Sequence, residues 1–402
     1  MGTAPLPAVS TPPGELVRRA AALRRHLAAA DLDAAVITHN ADLFYFGGSI
    51  QNGVLIVPAD GEPVYAVRRV LERARSESAL QRIVPFPSLR DLPAHLAEAC
   101  GRPPRRVGME FDVLPVAVRD RFAASLGAVE ILDVSAPVRR IRSVKSPYEV
   151  DRMRAAARLA DAILGAATEV LREGISELEL SAGIEAEARR RGHEGVVRLR
   201  GWNQETYYGM IAAGPAAAVP SFPDLPLGGE GPGPSAPYGA GRRRIARGDP
   251  VIIDAPAVLG GYIIDQTRTL VIGRLSDALA RAHDATVEIL KTVEAAIRPG
   301  ATPESLYRIA LTRAKSLGYA DAFMGAGSYR ARYVGHGVGL ELDEWPVLAE
   351  GFTDPLEPGS IFALEPKLIF PGVGVAGIED QYAVTAAGFE RLTLADQRLF
   401  SV

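Results

Sequence analysis

The apolar positions in the first third of the chain switch repeatedly between a helical and an extended period. Residues 13–30 are rich in Ala, Leu and Arg, which predicts a helix. AAVITH (34–39) is a β-branched run that predicts a short strand, stopped by YFGG at 45–48. GVLIVP and PVYAV predict a strand pair across the turn Ala59-Asp60-Gly61. A charged helical stretch follows. Then come IVPF, a helix near 92–100, RVGME as a strand, a helix near 116–126 and EILDVS as a strand. Strands separated by helices predict an α/β layer sandwich that ends near Ser135.

Residues 136–146 (APVRRIRSVKS) read as a linker. After it the helical period returns over 148–172, with Val150, Met153, Ala157, Leu159 and Ile163 on its apolar positions, and Glu173-Gly174 ends it. A second helix is predicted over about 176–192, and two more near 276–297 and 302–317. From Val196 the pattern is otherwise one of strands and hairpins, so the second part is an α+β domain over 147–402. About half of 214–241 is Gly or Pro, a loop long enough to suggest a binding or lid segment rather than a plain surface connection.

Composition narrows the class. The 402 residues carry 45 Lys+Arg against 48 Asp+Glu, and 48% are hydrophobic, which suits a globular chain with large cores. The near-zero net charge of −3 argues against a nucleic-acid or anionic-membrane partner. A lone Cys100 forms no internal disulfide, and no apolar run reaches the roughly 18 residues of a spanning helix, so a cytoplasmic setting is expected. Residues 1–12 have neither a basic nor an apolar leader region and read as a disordered lead-in.

The candidate chemistry lies in acids placed inside apolar strands. In PVIIDAPAVLGGYIIDQTRTLVIG, Asp254 and Asp265 interrupt Ile-rich runs, where an ionised carboxylate costs several kcal/mol unless paired or metal-bound. A two-residue turn at Leu259-Gly260 sets the two directly opposite; a turn at Gly260-Gly261 makes them diagonal neighbours. Both leave them on one face, where like charges repel unless a cation lies between. IFALEPKLIF and VAGIEDQYAVT repeat the pattern: Glu365 and Glu379 lie equally far from Gly372, and a three-residue turn centred there opposes them. His336, in an H-G-x-G turn between the two hairpins, completes a donor set. Four carboxylates and one imidazole suffice for two divalent ions about 3.5–4 Å apart, and such oxygen-rich ligation suits Mn, Fe, Co or Zn better than Cu.

This ordered set, an Asp pair followed by T-R-T (267–269), then H-G-x-G, then E-P at Glu365 and I-E-D ending at Asp380, resembles the pita-bread metallohydrolase family of methionine aminopeptidase, aminopeptidase P, prolidase and creatinase. The entry RSVKSPYEVDRMRAAARLAD resembles the start of that family's catalytic domain, and the segment before Ser135 resembles the creatinase-type N-terminal domain. The resemblance implies a creatinase-type α/β domain over 13–135 and an α+β pita-bread catalytic domain over 147–402. It implies metal ligation by Asp254, Asp265, His336, Glu365 and Glu379, with Asp265 and Glu379 bridging two ions, manganese first among the candidates. It also implies a homodimer, a short peptide or small-molecule substrate, and hydrolysis of an amide C–N bond by a bridging hydroxide whose proton is managed by Glu365. Thr267, on the strand face of Asp265, is placed to hydrogen-bond a ligand.

The resemblance breaks at the substrate ring. Family peptidases carry a histidine where Ser221 stands in AGPAAAVPS, and a second histidine where Asp343 stands in ELDEWP. They often carry Arg at the Gly377 position and usually Gly at the Lys367 position. Ser does not titrate near neutral pH and Asp is normally ionised there, so proton delivery falls to other groups. Asp343, near Glu341 and Glu344, is a candidate acid/base. Ser221, Lys367 and Tyr207 are candidate substrate contacts, Lys367 for a carboxylate; Trp202 and Tyr208 suit a core role better than a pocket. Two alternatives follow: a non-peptidase relative like creatinase, ectoine hydrolase or a dimethylsulfoniopropionate lyase, or a non-catalytic binding protein of the same fold.

Overall fold

A computed structural model describes residues 10–205 and 208–402. The lead-in expected over 1–12 therefore falls largely outside the described residues, and the helix Pro13–Ala29 starts with Pro at its first position, where a missing N–H costs nothing. The chain divides into two compact units, one up to Arg142 together with Arg200–Gln204, the other Ser143–Leu199 with the residues from 205 onward.

In the first unit a six-stranded mixed sheet runs in the order Arg82–Pro85, Val64–Val67, Gly53–Pro58, Ala34–Ile37, Arg106–Met109, Glu130–Asp133. Its central strands are buried along their whole length, as expected of strands covered on both faces. The helices Leu92–Cys100 and Val116–Leu126 pack Leu92, Leu96, Phe122 and Leu126 against Val36, Val54, Ile56 and Val107. The strand pair across Ala59-Asp60-Gly61 forms as expected. An unpredicted helix, Asn40–Gly47, occupies the stretch before Gly48, whose φ of 73° closes it. The segment read as a linker over 136–146 is mostly helical (Ser135–Ser143), because Val138 and Arg142 are buried on one side of it.

The second unit opens with the helix Pro147–Val170. Ser146 accepts from the Glu149 N–H while the Glu149 carboxylate accepts from the Ser146 N–H, a capping box that sets its start. The same device, Ser176 with Glu179, starts Glu177–Arg190. Two sheets follow. A four-stranded one orders Phe400–Ser401, Thr267–Val271, Val251–Asp254, Met210–Ala213; a five-stranded one orders Glu344–Ala349, Tyr333–Gly337, Ile361–Leu364, Asp380–Thr385, Gly388–Arg391. The helices Asp277–Glu294 and Pro303–Ser316 bury Ile289, Val293, Leu306 and Ala310 with Phe362, Leu364 and Tyr382. The Thr267 carbonyl accepts the Glu379 N–H at 3.1 Å and so ties one sheet to the other.

Both acidic hairpins leave their sheets and continue as two-stranded ribbons. Ala257–Leu259 pairs with Tyr262–Ile264 across Gly260-Gly261, where φ values of 62° and 80° permit the tight turn. The diagonal arrangement is therefore the one adopted: Asp254 pairs with Thr267, not with Asp265. Lys367–Phe370 pairs with Gly374–Gly377 about Gly372 (φ 74°), and the register shared with Ile361–Leu364 and Asp380–Thr385 sets Glu365 opposite Glu379. Asp265, Glu365 and Glu379 all fall in the gaps between sheet and ribbon, where the ladder is interrupted.

The Gly- and Pro-rich stretch 214–241 is a packed loop. Leu227 and Tyr238 bury against Met210, Ile252, Ile369 and Val375. Its backbone closes on itself, Gly229 N–H to Val219 O and Gly231 N–H to Gly239 O. A Cβ on Gly228 would lie 1.9 Å from the Val219 oxygen, so the glycine permits the close approach.

Candidate metal centre

His336 is held by its own turn. Its Nδ1 lies 3.1 Å from the Leu342 carbonyl and 3.2 Å from the Gly337 carbonyl, so Nδ1 carries the hydrogen and Nε2 presents a lone pair. Nε2 faces Glu365 Oε1 at 3.5 Å and Glu379 Oε1 at 3.9 Å. Donor atoms of Asp265, His336 and Glu379 all lie within 4.8 Å of one another, and all three residues are buried. Glu365 Oε1 and Glu379 Oε1 are buried with no hydrogen-bond partner, which marks a place for a cation.

The electrostatics agree. Burial and the charges of Glu379 and Asp254 push the Asp265 carboxyl well up. Burial, opposed by Lys367 and reinforced by Asp254 and Glu365, pushes Glu379 up to about 7. Burial disfavours the His336 imidazolium, but Asp343, Glu365 and Glu379 outweigh it and raise its pKa. A divalent cation among these groups relieves the same repulsion without protonation.

Lys367 is 1% exposed, and its Nζ lies 2.5 Å from Glu365 Oε2, 3.3 Å from Glu379 Oε2 and 3.2 Å from Asp254 Oδ2. It thus points at the ligands, as its strand face predicted, and meets protein carboxylates there. Thr267 donates its hydroxyl to Glu379 Oε2 at 2.6 Å, the contact expected of it.

The substrate-side candidates are more dispersed. Asp343 lies 3.4 Å from Nδ1 of His336, on the ring edge remote from Glu365 and Glu379, and its side chain is 41% exposed. Glu344 is turned away from it, onto Lys145 Nζ at 3.0 Å and the Leu340 N–H at 2.8 Å. The Ser221 hydroxyl donates to the Pro237 carbonyl within its loop at 2.6 Å. Tyr207 lies outside the described residues. Trp202 is 90% exposed, against the core role expected, and the Tyr208 ring packs edge-on against His193 at 5.1 Å.

Two site residues escaped the sequence reading. Tyr333 stands edge-on to His336 at 6.4 Å between ring centroids, and burial with the charges of Glu365, Asp343 and Glu379 keeps its phenol protonated. Asp224, on the Gly- and Pro-rich loop, is among the charges that act on it. Arg268 is fully buried: it pairs with Asp380 at 2.7 Å and donates to the Thr267 and Glu379 carbonyls at 2.9 and 2.7 Å. A charged residue between Thr267 and Thr269 in an otherwise apolar strand was the available signal.

An α/β domain followed by an α+β unit with paired acidic hairpins around a histidine defines a metal-dependent hydrolase of the pita-bread class. A family model for "Metallopeptidase family M24" matches residues 151–386, and one for "Creatinase/Prolidase N-terminal domain" matches residues 19–144. The chain belongs to metallopeptidase family M24. It is 27% identical to the Xaa-Pro dipeptidase of Pyrococcus furiosus over 371 residues, covering 92% of this chain and 95% of the relative. An Xaa-Pro dipeptidase from Bacillus anthracis superposes with a TM-score of 0.82 at 24% identity, over 96% of this chain and 100% of that one. The prolidase of Pyrococcus horikoshii gives 0.79 at 25% identity, over 94% and 99%. The creatinase-type and pita-bread folds expected from the sequence are those of the relatives. Among the described residues no helix is long and apolar enough to cross a membrane.

Proposed function

We propose that this metal-dependent hydrolase cleaves the peptide bond of short peptide-like substrates of the Xaa-Pro dipeptide kind. One observation carries the reading: Asp265, His336 and Glu379 converge, Glu365 stands against His336 Nε2, and one buried oxygen of each glutamate is left without a hydrogen-bond partner. The dipeptidase relatives favour peptide hydrolysis over the small-metabolite and binding-protein alternatives.

Bound there, a divalent ion supplies Lewis acidity toward the amide carbonyl and a nucleophilic water. The chain's own residues do the rest. The Leu342 and Gly337 carbonyls fix the His336 tautomer, and Asp343 reinforces it from the same edge. Glu365 would take the proton of the attacking water and pass it to the leaving amine, the role of a positioned general base and acid. Thr267 and Arg268 hold Glu379 through its Oε2 and its carbonyl. Ser221, Tyr207 and Tyr333 are the candidates for holding the substrate.

The donor set, three carboxylate residues and one imidazole, suits manganese first, with Co, Fe and Zn as competitors. The single free Cys100 supports a cytoplasmic setting. The homodimer rests on the family resemblance, and light scattering of the purified chain tests it. The activity test is a panel of Xaa-Pro and ordinary dipeptides against stripped and Mn-reconstituted protein. The expected result is metal-dependent release of proline, lowered roughly 100-fold or more in Glu365→Gln. Reconstituted protein that binds the ion yet leaves every dipeptide intact overturns the substrate assignment.

A further inference from the structure

The sequence offers ligands enough for two ions, but the side chains divide those ligands between an imidazole and an ammonium. Oε1 of Glu365 and of Glu379 face His336 Nε2, while Oε2 of both face Lys367 Nζ, which also takes Asp254 Oδ2. We propose that the Lys367 ammonium is the resident cation at one of the two places, that Asp254 serves the lysine, and that the chain binds a single divalent ion through Asp265, His336, Glu365 and Glu379. This rests on the metal-hydrolase reading above and deepens it.

Three further features carry the assignment. The ammonium donates to Glu365 Oε2 and Glu379 Oε2 and pairs with Asp254 Oδ2 at 3.2 Å, so three carboxylates surround its charge. The backbone of Lys367 is pinned: it pairs with Gly377 across the ribbon, and its carbonyl accepts the Met324 N–H at 2.9 Å. Its stem has nowhere else to go. The residue is 1% exposed, and a Cβ on Gly377 would lie 2.8 Å from Lys367 Cγ, so the missing side chain opposite is what makes room for the lysine. A second divalent ion would need the oxygens the ammonium already holds and would stand within contact distance of its charge. The donor group that closes within 4.8 Å is Asp265, His336 and Glu379, and Glu365 Oε1 adjoins it at 3.5 Å from His336 Nε2.

The test is metal stoichiometry of the purified full chain, stripped, dialysed against excess Mn2+ and measured by elemental analysis, with electron paramagnetic resonance of the Mn-saturated protein. Wild type is expected to hold one ion and to show an uncoupled Mn(II) spectrum. Lys367→Gly is expected to hold two and to show an exchange-coupled pair, and Asp254→Asn to keep one. Two ions or a coupled spectrum in wild type, an unchanged count of one in Lys367→Gly, or loss of the ion in Asp254→Asn overturns the proposal. If Lys367→Gly fails to fold, the wild-type count and spectrum decide. A wild-type count of zero sinks the metal-hydrolase reading itself, whereas a count of two sinks only the assignment of Lys367.

Discussion

In the first unit Asp42 is completely buried, and it meets Arg142 at 2.6 Å, Arg200 at 2.8 Å and His39 at 3.3 Å; Asp112 takes the remaining face of the Arg200 guanidinium at 2.7 Å. These charges pull the Asp42 carboxyl well below its usual range against its burial, while burial and the Asp42 charge push the buried Glu110 beside it well up. In the second unit Asp254, Asp265, Glu365 and Glu379 share one lysine and one histidine, and the carboxyls of Asp265 and Glu379 are pushed up. Both clusters are buried charge, but one is closed by its own arginines and the other is open by at least one cation. Burial of acids alone therefore does not distinguish a structural network from a metal centre. The supply of cations does: Asp42 alone has two arginines within 2.8 Å, whereas one lysine serves Asp254, Glu365 and Glu379 together.

That contrast can be broken from either side. The largest effect is expected in the closed cluster: Arg142→Ala leaves Asp42 short of a partner and should cost about 3–5 kcal/mol in urea unfolding while leaving metal stoichiometry unchanged. In the open cluster, saturating divalent ion should stabilise the chain by about 2.7 kcal/mol at one hundred times its dissociation constant, and a chelator should reverse it. A flat melting temperature across a metal titration would count against an open site.

A buried group outside both clusters sharpens the comparison, because its effect should not depend on metal. Burial holds His283 down to about 4 from 6.5. The unfolded chain therefore takes up a proton below pH 6.5 that the folded chain refuses until pH 4, and stability falls across that window. At pH 5 the loss is about 2 kcal/mol, and His283→Leu should remove that part of the acid sensitivity with or without the ion. The smallest effect is expected of Asp343→Asn. Two carbonyls already hold His336 Nδ1, so kcat should fall by less than about tenfold with KM unchanged, below the usual range for losing a ligand's outer partner. A large KM rise instead would place Asp343 against the substrate.

Much of the architecture was legible in periodicity. The helices Pro13–Ala29, Pro147–Val170 and Glu177–Arg190 lie within a few residues of expectation, since their caps and apolar spacing are local. The helix Asn40–Gly47 was not legible, because its Leu43, Tyr45 and Phe46 are buried nearly all round and show no amphipathic period. The helix over Ser135–Ser143 was hidden by its Arg-rich composition, although buried Arg142 is one of the cations that close the Asp42 cluster. At the centre, period-two alternation placed Asp254 and Asp265 on one strand face, and equal distance from Gly372 set Glu365 opposite Glu379, since register in a hairpin follows from its turn.

The sequence by itself determined which residues share a strand face, because that follows from the backbone repeat, but whether Asp254 stands opposite Asp265 or opposite Thr267 was decided only by the turn adopted at Gly260-Gly261. Nor could the sequence determine which oxygen of each carboxylate faces which cation. That was decided by packing: the gap opposite Lys367 at Gly377, the carbonyls that turn His336 Nε2 inward, and the edge of the ring on which Asp343 came to lie. Side-chain direction at a buried site depends on neighbours from other strands, and only the tertiary structure brings those neighbours together.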